Sequence, residues 1–594
     1  MKFTDVFIKR PVLATVISLF IFIFGLRAIF VMQVRQYPKM DNTVITVTTY
    51  YPGASADLIQ GFITTPIEKS VSSADGIDYF TSQSDNSVST VKIYVRLNYD
   101  PNKAFTSIMS KVEQIKNQLP SAAQNPIIVK KTGSAMSLMY VSFNSKSMTP
   151  QQITSYLMSV VQPKIVTVPG VASAAILGGS DYAMRIWLDP TRMAAYGVTP
   201  ADVTAALQRN NFQSAAGQIK GKYMLVTVNA STAASDVNTF KRLVVKTSKS
   251  GGYVRIENVA KVTLGAQNYN SSVYFNNKKA VFVAIDALPS ANPLTVIAGV
   301  KTVFPGLIKG YPAGLHSTVV YDATDFINAS ILEVIETIIE ASLIVIGIIF
   351  LFMGSLRTVI IPVVTMPLSL VGVFGVMSLL GYSINLLTLL ALVLAIGLVV
   401  DDAIVVVENT YRHIEEGASP FDAAIQGARE IVMPVIAMTM TLAAVYLPIG
   451  FIQGVTGALF TEFAFTLAAA VVVSGVVALT LSPMMCSRML TVEVAESSFV
   501  KLIDNVFGKI KNTYQNVLVM VLSMRKAICV FAVIVLVSCG YLYMFSPKEL
   551  SPVEDQGVVL TITTAPKYAN LDYTEKYSRL LGRYYDSFPS KLAY

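Results

Sequence analysis

Seven stretches of this chain are each long and apolar enough to cross a lipid bilayer, and no other feature constrains the fold so tightly. They lie near Val12–Met32, Ile335–Met353, Val359–Leu380, Leu386–Val407, Ile431–Phe451, Phe463–Met485 and Ala527–Phe545. About 20 apolar residues of helix cross the hydrocarbon layer. Lipid offers the backbone no hydrogen bonds, so helices are the form that these segments must take. Composition agrees: 14% of the residues are charged and 53% hydrophobic, where a soluble domain carries about 25% charged residues.

Lysine and arginine are retained on the cytoplasmic side of a membrane protein, and their distribution orients the spans. With the N-terminus inside, the inside segments hold Lys2, Lys9, Arg10, Arg357, Arg412, Arg429, Arg488, Lys501, Lys509, Lys511, Arg525 and Lys526. The short outside loops near Gly381–Asn385 and Gln453–Thr461 hold none. Basic loops beside an anionic leaflet account for the net charge of +9, so no nucleic-acid partner is needed. The first span has a long apolar core and no small-residue cleavage site, as expected of a retained anchor rather than a removed leader. Cys486, Cys529 and Cys539 all lie in or beside spans, and the large segment from Gln33 to Asn328 has none. That outside segment therefore holds together by packing alone.

Its strands and helices alternate. Thr43–Tyr51, a helix from Ala54 to Ser72, strands Tyr79–Ser84 and Ser89–Leu97, a helix from Asn102 to Leu119 and Ile127–Lys130 form the split βαβ, ferredoxin-like pattern. The pattern restarts at Met136–Phe143, Pro150–Val166 and Val171–Leu177. An insertion from Tyr182 to Leu264 interrupts it, and it resumes with Ala280–Leu288, Ala291–Phe304 and His316–Tyr321. After the sixth span, Phe499–Leu522 reads as an amphipathic helix lying along the inner membrane surface. Beyond Ser546, Val558–Thr563 reads as a strand and Leu571–Tyr585 as a helix. The fold class expected is thus a polytopic α-helical membrane protein of seven spans with a large periplasmic α+β region.

The chemistry sits in LLTLLALVLAIGLVVDDAIVVVEN, where Asp401 and Asp402 interrupt an apolar helix. Each ionised residue near the bilayer centre costs roughly 2.5–3.5 kcal/mol. Polar contacts between membrane helices return only about 0.6 kcal/mol on average, so a merely structural role does not account for the pair. Loss of water and a charged neighbour both disfavour ionisation, and the two carboxyls are expected to titrate as one coupled pair. A group that alternates between protonated and ionised forms can take a proton from one side and release it to the other. Glu408, seven residues beyond Asp401 on the same helical face, is a candidate inner-end relay, with a solvated helix-end carboxylate as the alternative. Glu333, Glu336 and Glu340 read first as a simple solvated face where the chain enters the second span, with a polar face continuing the helix out of the membrane as the alternative and Glu340 a second candidate accessory. Spans two, three, five, six and seven hold no Lys or Arg in their apolar cores, so either the pair stays largely protonated or its basic partner lies on a segment outside this sequence, the second being the expectation. No catalytic triad, metal cluster or phosphate loop is present, so no enzyme activity is expected.

Several stretches resemble exporters of the resistance–nodulation–division (RND) family: FIKRPVLATVISL, YPGASADLIQGFITTPIEKSV, GSDYAMRIWLDPTRMAAYGVTPADV, GYSINLLTLLALVLAIGLVVDDAIVVVENTYRHIEEG and SPVEDQG. The resemblance implies an inner-membrane pump of Gram-negative bacteria driven by the proton gradient, with no other cofactor. It implies a homotrimer working with a periplasmic adaptor protein and an outer-membrane channel. Asp401 and Asp402 match the family's proton-relay site, whose basic partner lies on a second half. The DDAIVVVEN wording is typical of exporters of hydrophobic and amphipathic compounds.

The implied organisation is a first span within 1–32, a first porter subdomain at 33–132 and a second at 133–180 and 266–330, with a docking subdomain at 181–265. Spans two to six occupy 331–490, an interfacial helix 491–526, the seventh span 527–545 and the start of a third porter subdomain 546–594. The chain corresponds to the N-terminal half of such a pump and is expected to be truncated. An inactive half-pump, or a non-transporting receptor or translocation accessory of the same fold, are the competing readings. Which residues bind substrate is not legible.

Overall fold

The computed structural model describes residues 3–38, 43–97, 99–132, 136–210, 213–231, 234, 236–247, 251–353, 355–491, 498–546, 558–559, 561–566 and 568–588. Among them are seven helices long and apolar enough to cross a membrane: Pro11–Val31, Ala323–Phe352, Leu356–Leu379, Leu386–Glu415, Pro420–Phe451, Gly454–Met489 and Arg525–Phe545. Each coincides with a stretch expected from the sequence. The helices run further than the apolar windows, because a helix continues for as long as its backbone bonds are made, whether or not lipid surrounds it. The second thus begins at Ala323 and the fifth at Pro420, well before their apolar cores. The third, fourth and sixth spans are largely buried, whereas the second and seventh are exposed along most of their length.

The chain divides into two compact units, Met1–Met136 with Thr324–Val559, and Ser137–Ala323 with Leu560–Tyr594. In the first, the helix Phe3–Lys9 lies against the fifth and sixth spans. Its Asp5 is buried and accepts hydrogen bonds from Arg429 through both carboxylate oxygens, Nε to Oδ1 at 3.0 Å. The same unit holds a four-stranded antiparallel sheet in the order Ile77–Asp85, Val88–Val95, Thr43–Tyr50, Ile127–Thr132. Alternate residues Ile45, Val47, Val91 and Ile93 point to one face, where Ile59, Ile63, Ile67 and Ile108 of the covering helices meet them. The expected helix Ala54–Ser72 is present as Ala56–Ile59 and Thr65–Val71, joined by a π-helical turn at Gln60–Thr64.

In the second unit, Leu315–Asp322, Met139–Ser145, Val281–Ala287 and Val171–Leu177 form another four-stranded antiparallel sheet, in that order. The helical run Pro150–Val166 and the helix Pro293–Lys309 cover one face. The chain between Leu177 and Val281 builds a separate core around Val203, Phe240, Val254 and Ile256, and a hairpin of Gln213–Lys220 with Leu225–Ser231.

One expectation fails. The described residues of Val558–Thr563 are not in a strand. A run of β-forming residues becomes a strand only when a neighbour accepts its backbone bonds, and none of the described strands pairs with it. The helix that follows is present as Leu571–Asp586, where Arg579 donates to the Tyr274 hydroxyl at 2.8 Å. The SPVEDQG stretch, with the whole segment from 547 to 557, lies outside the described residues, as do 492–497 ahead of the amphipathic helix Ser498–Ser523.

Candidate functional site

The fourth span is fixed at both ends before its centre is considered. At its start, Asn385 is the N-cap, its Oδ1 accepting from the backbone N–H groups of Leu387 and Thr388 at 3.0 Å each. The residue before it, Ile384, pairs with the chain leaving the first span: Arg35 N–H donates to its carbonyl at 2.8 Å, and its own N–H donates to Gln33 at 2.9 Å. A buried carboxylate of the sixth span completes the joint. Glu462 Oε2 accepts from the Ser383 hydroxyl at 3.0 Å and from Asn385 Nδ2 at 2.7 Å. At the far end, a Cβ at Gly427 would lie 3.2 Å from the backbone of Thr410, so the fifth span approaches the fourth closely there. Glu430 beside it accepts from Asn409 Nδ2 at 3.0 Å and from Arg412 Nη2 at 3.2 Å.

Between these joints stand the tandem aspartates. Consecutive residues of a helix point about 100° apart, so the two side chains leave the helix in different directions. Asp402 is 1% exposed and turns to the sixth span. There the Ser474 hydroxyl lies 2.7 Å from its Oδ2 and 3.0 Å from the Val399 carbonyl oxygen. Asp401 is exposed. It lines an open recess of about 200 Å³ that is otherwise apolar, walled by Val345 of the second span, Gly397, Leu398 and Ile404 of the fourth, and Met438 and Leu442 of the fifth.

The Ser474 geometry has a chemical consequence. A hydroxyl has one proton to donate and two lone pairs to accept with. If Asp402 is ionised, Ser474 donates to it and leaves the Val399 carbonyl. If Asp402 is protonated, its own O–H donates to Ser474, whose proton then turns to Val399. The hydroxyl thus answers each protonation state of Asp402 with a different bond to the fourth span. No lysine, arginine or histidine among the described residues forms an ion pair with either aspartate.

Of the other residues singled out from the sequence, Glu408 is exposed near the far end of the fourth span and Glu340 is exposed on the second. Neither stands in the wall of the recess beside Asp401. Ser474, Glu462 and Glu430 were not anticipated. Ser474 lies in the apolar run AAAVVVSGVVAL, where a lone serine is ordinary in a membrane helix, and only the pairing of spans four and six gives it meaning. Glu462 falls at the edge of an apolar window, where a carboxylate passes for a loop residue.

The chain matches the model of the AcrB/AcrD/AcrF family over residues 3–590. It is 44% identical over 575 residues to a protein of Haemophilus influenzae described as an uncharacterized transporter, a match covering 97% of this chain and 56% of that protein. The chain therefore spans about half the length of that relative.

Proposed function

The chain belongs to the AcrB/AcrD/AcrF family of RND transporters, and we propose that it exports hydrophobic or amphipathic compounds in exchange for protons taken up and released by Asp401 and Asp402. The observation that carries this reading is the burial of Asp402 against a hydroxyl that serves both of its protonation states. A carboxylate kept so far from water inside a membrane helix is functional before it is structural. The recess beside Asp401 has room for about one long side chain, and a basic one entering it would supply a counter-ion. Proton movement through this pair would exchange the Ser474 bonds and shift span four against span six.

In this reading the N-terminus is cytoplasmic, the end of the fourth span near Glu430 faces the cytoplasm, and the units built on the two four-stranded sheets are periplasmic. The sheet order, with its covering helices on one face, supports porter subdomains of split βαβ type at 33–132 and at 133–180 with 266–330. The insertion at 181–265 is the docking subdomain. The working assembly is a homotrimer with a periplasmic adaptor and an outer-membrane channel.

The direct test is proton-coupled transport by the protein expressed from its own gene. Dye efflux from energised cells should stop when an ionophore collapses the proton gradient at constant ATP. Efflux that continues unchanged sinks the proposal. A second expectation concerns Ser474. Its replacement by alanine leaves a buried carboxylate without a hydrogen-bond donor, at a cost of about 1–3 kcal/mol, so Ser474→Ala should slow efflux roughly tenfold. Ser474→Thr keeps the hydroxyl and most of the rate. Equal efflux by the alanine variant across the pH range would remove the hydroxyl from the mechanism.

A further inference from the structure

Glu462 is a buried carboxyl that proton exchange through Asp401 and Asp402 does not use. It stands near the start of the sixth span. Its Oε2 accepts from the Ser383 backbone N–H at 3.3 Å, the Ser383 hydroxyl at 3.0 Å and Asn385 Nδ2 at 2.7 Å. A carboxyl taken out of water needs such bonds, and here all three come from one short loop. That loop is part of the fourth span. Asn385 Oδ1 accepts from the N–H groups of Leu387 and Thr388, and Thr388 Oγ1 accepts in return from the Asn385 N–H at 2.9 Å. The reciprocal cap makes 383–385 an extension of the helix. Asp402 stands seventeen residues beyond Asn385, about 25 Å along the axis. Of the third to sixth spans, the fourth alone has no internal proline, and proline is the usual cause of a kink. A displacement at the aspartates is thus carried along the helix to its cap.

The same loop grips the chain leaving the first span. Ile384 and Val34 form a parallel β-bridge, in which Arg35 N–H donates to the Ile384 carbonyl and Ile384 N–H to that of Gln33. Leu386 N–H reaches the Gln36 carbonyl at 3.3 Å. The first span ends at Val31, and Met32 after it is extended. Seven residues past Gln36 the chain enters the first sheet at Thr43. The linker is therefore fastened to span four as soon as it leaves the helix that packs on span three.

We propose that Glu462 is a positioning residue: by holding the loop 383–385 to span six it keeps that loop seated on residues 33–36, so that movement of the helix bearing Asp401 and Asp402 is passed to the chain entering the first four-stranded sheet. The proposal rests on the reading of those aspartates as the proton carriers. Ser474 lies twelve residues beyond Glu462 on the same helix, about 18 Å away. The exchange of bonds at Asp402 therefore leaves this joint shut and pivots on it.

Two measurements test this. Hydrogen–deuterium exchange in detergent reads the joint without any transport. Glu462→Ala should speed exchange at least tenfold at the amides of Arg35, Ile384 and Leu386 and leave those beside Glu430 unchanged. Glu462→Gln, which keeps an acceptor oxygen, should stay near the wild type. Equal protection in Glu462→Ala and the wild type overturns the clamp, whatever the protein transports. Dye efflux then reads the coupling. Glu462→Ala should lower the maximal rate about tenfold at an unchanged half-saturating dye concentration. Ser383→Ala, which removes one donor and serves where the alanine at 462 prevents folding, should lower it about threefold. Bridged residues lie on strands about 4.8 Å apart, within disulfide reach. Val34→Cys with Ile384→Cys, in a chain whose own three cysteines are replaced by alanine, should therefore crosslink on oxidation. The crosslink should leave efflux intact where Glu462 is present and restore at least half of the rate lost in Glu462→Ala. Full efflux by Glu462→Ala despite a loosened joint, arrest of efflux by the crosslink, or no restoration overturns the positioning role. The ionophore experiment decides separately whether efflux is driven by protons at all.

Discussion

Asp402→Asn is expected to cut energised dye efflux by at least about fiftyfold while leaving the amount of folded protein in the membrane unchanged. The size follows from what the proton supplies: about 2.3 kcal/mol for each charge crossing 100 mV, or a bias of roughly fiftyfold between two conformations. Asparagine fills the same volume and still accepts the Ser474 hydroxyl, so the contact to span six survives while the ability to take a proton does not. Stability should hold or rise, because an ionisable carboxyl no longer has to be kept in a water-poor site. Asp401→Asn should also impair efflux, although its side chain stands in an open recess and loses less on neutralisation. The measurement is efflux of a fluorescent dye from energised cells, normalised to membrane-resident protein by immunoblot. Wild-type efflux by Asp402→Asn would show that the buried carboxyl does not carry the coupling proton.

Much of this was legible in the residues and some was not, for reasons that differ. Seven apolar windows became seven helices because lipid allows no other backbone solution. The tandem aspartates stood out because nothing in an apolar helix favours charge. Their unequal fates did not show: one is buried and one opens on a recess, and that depends on which neighbours the helix acquires. Ser474 and Glu462 were invisible for the same reason, since a lone serine and a helix-end glutamate gain meaning only from what they face across the gap. The strand expected at Val558–Thr563 failed in the opposite way. Its residues favour β structure, but propensity supplies no pairing partner.

Glycine roles are the least legible of all. The chain has 34 glycines, and which of them matter depends on helix pairing. Gly25 makes the closest such approach between two spans: a Cβ there would lie 2.0 Å from the Val371 carbonyl oxygen. Across the same seam, a Cβ at Gly372 would meet Ile21 at 2.6 Å and one at Gly375 would meet Phe24 at 2.5 Å. The first and third spans therefore touch backbone to backbone, the close approach that small residues permit in membranes. Because the contact at Gly25 is a carbonyl rather than a flexible side chain, rotamer changes do not relieve it. Gly25→Leu should force the helices apart at a cost of about 3 kcal/mol, seen as a lower melting temperature in detergent and reduced protein in the membrane. Gly25→Ala should already be damaging, since the clash lies at Cβ itself. Gly347→Ala is the control: its Cβ meets nothing within 4 Å, and a change within about 0.5 kcal/mol is expected there. If Gly25→Leu accumulates and melts like the wild type, the two spans do not pack through this seam, and the anchoring of the first span to the core of the membrane domain has to be sought elsewhere.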